Sequence, residues 1–245
     1  MLKSGVKNIM SKSFKVPTLI GNFYRKPINL DITNRCPLEC PACMRQGSWY
    51  DKIRYKYKEM SISELLTIIK TFYYIEFCGQ QSDPLAHPDI LEFIFLCRGR
   101  KLDIHTATSH KSKEFYKEAF EMSGKNTTWI FGLDGLPEES HKYRIHQNGV
   151  HLFEMMKVGV SMGANICWQY IVFNYNQDHI SIAEDMSEKD IIIAVQPYLG
   201  TGEKNFSNWE KMAKQNNMKT DVAEYFPLLI TIWKKLRKNT HFLQQ

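Results

Sequence analysis

The chain has 245 residues, 43% of them hydrophobic and 13% aromatic, enough for one large core or two small ones and unlike a disordered chain. Its net charge of +6 is uneven: +6 over residues 1–35, −4 over 36–199 and +4 over 200–245. No charge-free window reaches 18 apolar residues, and the lysine-rich start MLKSGVKNIMSKSFKVP has no apolar run of signal-peptide type. Neither a membrane span nor a secretory leader is therefore expected. A cytoplasmic, reducing location follows, in which the six cysteines are ligands or buried thiols rather than disulfides. The basic ends could attract a nucleic acid. Solvated lysines on terminal helices give the same composition, and no arginine-rich run, zinc-finger spacing or aromatic RNA-binding signature adds to the case.

In chain order, the β-rich run PINLDIT (27–33) predicts a first strand. Ser61 and Glu64 then stand in capping-box spacing before Leu65, Leu66 and Ile69, which with Ile62 mark one helical face. YIEFC (74–78) predicts a second strand, and Pro88 starts a helix carrying Leu91, Ile94 and Phe95. LDIHT (102–106) is a third strand, followed by a helix from about Ser112 to Met122. TTWIFGLD (127–134) is a fourth strand, and a polar loop leads to a helix near 150–162, ended by Gly163. NICWQYIVF (165–173), a helix over 177–187 and DIIIAV (190–195) complete the alternation.

Strands alternating with helices imply a parallel sheet in an α/β fold. Six units in about 170 residues fall short of a closed eight-stranded barrel, which takes about 250. A partial (βα)6 barrel and a doubly wound sheet both satisfy the pattern. In either, functional groups gather beyond the C-terminal ends of the strands. The expected organisation is a basic extension over 1–26, a core over 27–199 and a helical extension over 200–245, with helices near 207–218 and 221–238.

The strongest chemical signal is DITNRCPLECPACMRQ, which sets Cys36, Cys40 and Cys43 in C-x3-C-x2-C spacing just after the first strand. Three thiolates on one tight loop converge on one centre. A structural zinc needs a fourth ligand, and no histidine precedes His87. Cys78 could close a four-cysteine site. Three cysteines alone would leave one iron of a cubane cluster open, which suits catalysis.

This spacing at this place resembles the radical S-adenosylmethionine (radical SAM) superfamily, and the resemblance covers about residues 27–199. It implies a parallel partial (βα)6 barrel with a [4Fe–4S] cluster on Cys36, Cys40 and Cys43. It also implies S-adenosylmethionine on the open iron, an external one-electron donor, and reductive cleavage to a 5′-deoxyadenosyl radical that takes hydrogen from a substrate. The loop FCGQQSDPLAHPDI then matches the family's Gly-Gly-Glu-Pro element, with Ser82, Asp83 and Pro84 in its last three places and Gln81 and Ser82 where glycines are usual. Ser82 and Asp83 are thereby expected to meet the cofactor's amino group. FGLDGLPEESHKYR matches a Ser-x-Asp-Gly element, with Gly132 for the serine, Asp134 and Gly135 in place, and Arg144 twelve residues after Gly132. Arg144 is the expected partner of the cofactor carboxylate, a natural use of the guanidinium fork. Ala42 stands where many members carry an aromatic residue against adenine.

Other residues read more plainly. Asp134 could simply stabilise the turn at Gly135, and Asp83 the turn before Pro84. Cys97 and Cys167 read as buried thiols, and His105 and His110 receive no role. Gln169, on the fifth strand, is a candidate cofactor or substrate contact. No cysteine follows Cys167 in this sequence, so a single-cluster enzyme is expected, its substrate a peptide, nucleotide or RNA left open. The rival from another class is a non-catalytic metal-binding or electron-carrying module holding its metal through Cys36, Cys40, Cys43 and Cys78.

Overall fold

The computed structural model describes residues 27–41, 43, 45, 59–78, 82–187 and 190–197. The expected extensions over 1–26 and 200–245, with their basic residues, lie outside these, as does Ala42. Six strands form one sheet in sequential order: β1 (Ile28–Leu30), β2 (Tyr74–Cys78), β3 (Lys101–Thr106), β4 (Thr127–Gly132), β5 (Asn165–Val172) and β6 (Ile191–Pro197). The pairs from β1 to β5 are parallel. Between them run α1 (Ile62–Ile69), α2 (Ile90–Leu96), α3 (Lys113–Met122), α4 (Gly149–Ser161) and α5 (Ile180–Ser187). Strands in chain order with helical crossovers make an open partial (βα)6 barrel. The doubly wound alternative would have reversed the strand order at a switch point.

The register separates two faces. Ile75 pairs with Leu102, and Leu102 with Thr127; Phe77, Ile104, Trp129 and Ile166 follow in line, as do Phe131 and Trp168. Apart from the polar Thr127, these side chains form the buried layer beneath the helices. Phe153 of α4 lies 5.2 Å from the Trp168 ring, and α4 approaches β5 closely. A side chain at Gly159 would meet Ile166 Cδ1 at 2.7 Å. The opposite face, with Glu76, Cys78, His105, Ile130, Cys167 and Gln169, is half-buried and looks into the barrel.

Helix starts follow the local chemistry. Ser61 and Glu64 form the full capping box at α1, where Leu65 and Ile69 are buried and Ile62 and Leu66 half-buried. Ser112 accepts from Phe115 N at α3, and Asn148 from His151 N at α4. The second helix departs from expectation. Pro84–Ala86 form a 3-10 turn, Pro88 stays in the following turn, and α2 begins at Ile90. Its buried face is Ile90, Phe93, Ile94 and Leu96, so Leu91 and Phe95 only border the core. The first strand is also shorter than PINLDIT. Beyond Leu30 the chain leaves the sheet, and Ile32 O accepts instead from Met60 N at 3.0 Å. The fourth strand likewise stops at Gly132, before Asp134.

Candidate functional site

The loop after β1 carries Cys36, Cys40 and Cys43, each half-buried and free. Cys43 N donates to Cys40 O at 3.0 Å, which closes a turn between the last two cysteines of the motif. The thiols are electrostatic neighbours, Cys36 with Cys40 and Cys40 with Cys43. Burial, followed by the charge of Asp83, pushes the Cys36 thiol up to about 11. Burial also raises Cys40, while Arg144 acts in the opposite direction. Arg45 Nη1 donates to Cys36 O at 2.9 Å and adds a second cation to the loop. This donor set suits an iron–sulfur cluster: three soft ligands on one loop, with positive charge beside them to favour the thiolate form. Among the described residues no three His, Cys, Asp or Glu side chains stand close enough to hold a single metal ion. A cubane differs in this respect, because each of its thiolates binds a separate iron.

The next loop is tied to the first. Asp83 N donates to Arg35 O at 2.8 Å, and Ser82 Oγ donates to Asp31 Oδ1 at 3.0 Å. The Asp83 carboxylate then reaches the end of β3. It accepts from Leu85 N (3.0 Å), Thr106 Oγ1 (2.8 Å), Ala107 N (2.8 Å) and Thr108 N (3.0 Å). A carboxylate offers about four acceptor sites. Those of Asp83 are taken, and only 3% of the residue is exposed. Burial raises its acid, and the donated hydrogen bonds pull it back. Asp83 thus clasps the loops after β1, β2 and β3 together. Asp83→Ala should orphan the buried N–H groups of Leu85 and Ala107, leave Thr108 N only Thr106 Oγ1, and lower unfolding free energy by about 3 kcal/mol. Asp83→Asn, which keeps a carbonyl acceptor, should cost less. Urea denaturation checks this, and a loss within about 0.5 kcal/mol for Asp83→Ala would contradict the clasp.

The loop after β4 supplies the cation. Asp134, fully buried, accepts from Arg144 Nε at 2.7 Å and from Ile171 N at 2.9 Å. Burial raises the Asp134 acid, while Arg144 and the Ile171 N–H pull it back. The Arg144 guanidinium lies directly on Gly132, where a Cβ would come within 2.6 Å of Nη2. In sequence Gly132 stands in place of a serine; in the structure it lets the Arg144 guanidinium lie against the backbone, and a Cβ there would make that guanidinium shift. Glu39 N donates to Ile145 O at 3.2 Å, which joins the cysteine loop to the arginine loop. Gln169 pairs with Gly132 across the strands, and its Nε2 donates to Gln196 Oε1 at 3.0 Å.

The fold thus gathers Cys36, Cys40, Cys43, Asp83, Asp134 and Arg144 around the C-terminal ends of β1 to β4, with Ser82 beside β1 and Gln169 on β5. Cys78 ends β2, and its charge neighbours are Glu76 and Asp31 rather than the loop thiols. One residue had no sequence signal. Gln147, 5% exposed, donates from Nε2 to Ala107 O (2.6 Å) and Gly132 O (2.9 Å), strapping the ends of β3 and β4.

An open sheet of six parallel-connected strands in chain order is a partial (βα)6 barrel, and comparison in three dimensions finds the same fold in solved structures. The chain is similar to Streptococcus suis SuiB bound to S-adenosylmethionine (TM-score 0.58, 13% identity), covering 79% of this chain and 48% of SuiB. It is similar to SuiB bound to its precursor peptide SuiA (TM-score 0.57, 13% identity, 79% and 47% covered). It is also similar to anSMEcpe with bound AdoMet (TM-score 0.53, 14% identity, 74% and 52% covered). The chain spans about half the length of these structures. No family model and no curated protein sequence matches it. Among the described residues no helix is long and apolar enough to cross a membrane.

Proposed function

We propose that this protein is a single-cluster radical SAM enzyme. The observation that carries the reading is the meeting of three free thiols at the end of β1 with an arginine pinned to a buried acid at the end of β4. Cys36, Cys40 and Cys43 would hold a [4Fe–4S] cluster, with one iron left for S-adenosylmethionine. A bound, reduced cluster would supply the electron for reductive cleavage of S-adenosylmethionine, and the 5′-deoxyadenosyl radical so released would take hydrogen from substrate. The chain's own residues do the positioning. Arg144, held through Nε, presents Nη1 and Nη2 to the cofactor carboxylate. Asp134 keeps Arg144 in place, Asp83 and Ser82 set the loop facing the cofactor, and Gln169 and Gln196 form the neighbouring wall. The electron comes from an external donor.

The four-cysteine rival needs Cys78 at the cluster. Cys78 lies instead at the end of β2, on the inner face of the sheet with Glu76. Cofactor binding tests the proposal. Iron-loaded protein should bind S-adenosylmethionine at least tenfold more tightly than metal-free protein, about 1.4 kcal/mol, in an anaerobic equilibrium dialysis. Equal binding by the two forms would overturn it.

A further inference from the structure

The inner face of the sheet carries an acidic pair that the proposed cofactor site does not use. Glu76 on β2 and Asp103 on β3 stand directly in register on adjacent strands, about 4.8 Å apart in the sheet. Tyr74, two residues before Glu76 on the same face, donates its hydroxyl to Asp103 Oδ2 at 2.6 Å and lies within reach of Glu76. Asp103 is 8% exposed, yet its other oxygen, Oδ1, is buried without a hydrogen-bond partner. A buried acceptor left empty is rare in a folded protein, and a second carboxylate beside it adds repulsion. Among the described residues neither acid has an ion pair. Lys101, at the start of the same face, rests on the Tyr74 ring at 3.8 Å instead.

A neutral donor would satisfy Oδ1 but leave two adjacent carboxylates uncompensated. A cation that donates hydrogen bonds answers both. We propose that Glu76 and Asp103 form a subsite for a positively charged group of the substrate, a primary ammonium or a guanidinium. Asp103 lies three residues below the end of β3, about 10 Å beneath the rim of the barrel at about 3.3 Å per residue. The cation therefore arrives on a slim arm, passing the level of Cys78, His105 and Ile130, while the rest of the substrate stays near the rim. That the cation belongs to the substrate rests on the proposed radical reaction; the preference for a cation does not.

The test uses the full chain, iron-loaded, titrated calorimetrically with butylammonium, butylguanidinium and the uncharged butylurea, a close match in shape to the guanidinium. At least one cation should bind at least tenfold more tightly than butylurea. Asp103→Asn and Glu76→Gln should each erase that preference without changing S-adenosylmethionine affinity. Glu76 is half-buried, so its variant carries the test if Asp103→Asn fails to fold. Absence of cation binding, equal binding of butylurea, or a preference that survives Glu76→Gln overturns the subsite. A parallel loss of cofactor affinity would place these acids in the cofactor site and overturn it as well. Cation binding by protein that does not bind S-adenosylmethionine would leave the subsite standing and remove the radical reaction.

Discussion

Anaerobically reconstituted protein should take up one four-iron cluster, and replacing Cys36, Cys40 and Cys43 together by Ala should abolish it. The three thiols sit on one loop, and burial holds at least two of them in the protonated form until iron displaces the proton. Among the described residues of the loop after β1, no others offer soft ligands. Cys78→Ala should retain most of the iron, because Cys78 ends β2 rather than standing on the cysteine loop after β1. Iron content and the visible absorbance of the cluster report both outcomes. Equal iron loss in Cys78→Ala would favour the four-cysteine module, and stoichiometric zinc in protein purified without oxygen would contradict both iron readings.

The second large effect centres on Arg144. Arg144→Ala should remove the proposed charge-assisted contact to the cofactor, worth about 1.5–3 kcal/mol or roughly 10- to 150-fold in affinity. It also strands Asp134, which is fully buried, and leaving such a carboxylate unpaired costs about 3–5 kcal/mol of stability. The pH dependence of that stability loss has a definite sign. Burial already raises Asp134, and without Arg144 the native state binds its proton more readily than the unfolded chain does. The deficit relative to wild type should therefore shrink as the pH falls from about 7 toward 4. Arg144→Lys keeps a positive charge near Asp134 but not the planar fork, so it should keep more stability than affinity. Gly132→Ala probes the same geometry from beneath. Its methyl would fall 2.6 Å from Nη2 and push the guanidinium away, lowering cofactor affinity about tenfold with iron content unchanged. Unchanged affinity in both Arg144→Ala and Gly132→Ala would remove the arginine from the cofactor site.

Much of this arrangement could be read from local patterns. Period-two runs such as YIEFC and period-3.6 runs such as that after Ser61 gave strands and helices close to those observed, because each buries one face against the other. Neither periodicity nor spacing could choose between an open barrel and a doubly wound sheet. That depends on strand order, which is set by contacts between distant segments. The cysteine loop was visible because its chemistry is compact in sequence. The engagement of Asp83 was not, since its partners Thr106, Ala107 and Thr108 lie more than twenty residues away. Gly132 shows the limit most clearly. In sequence it reads as the loss of a hydroxyl, and only the position of Arg144 shows what the missing side chain makes room for.

The most direct measurement is the yield of 5′-deoxyadenosine when the iron-loaded protein is reduced anaerobically with S-adenosylmethionine and no added substrate. The account predicts 5′-deoxyadenosine together with methionine, both absent from the variant lacking Cys36, Cys40 and Cys43. Protein that holds its four irons and binds S-adenosylmethionine, yet releases no 5′-deoxyadenosine on reduction, would contradict it.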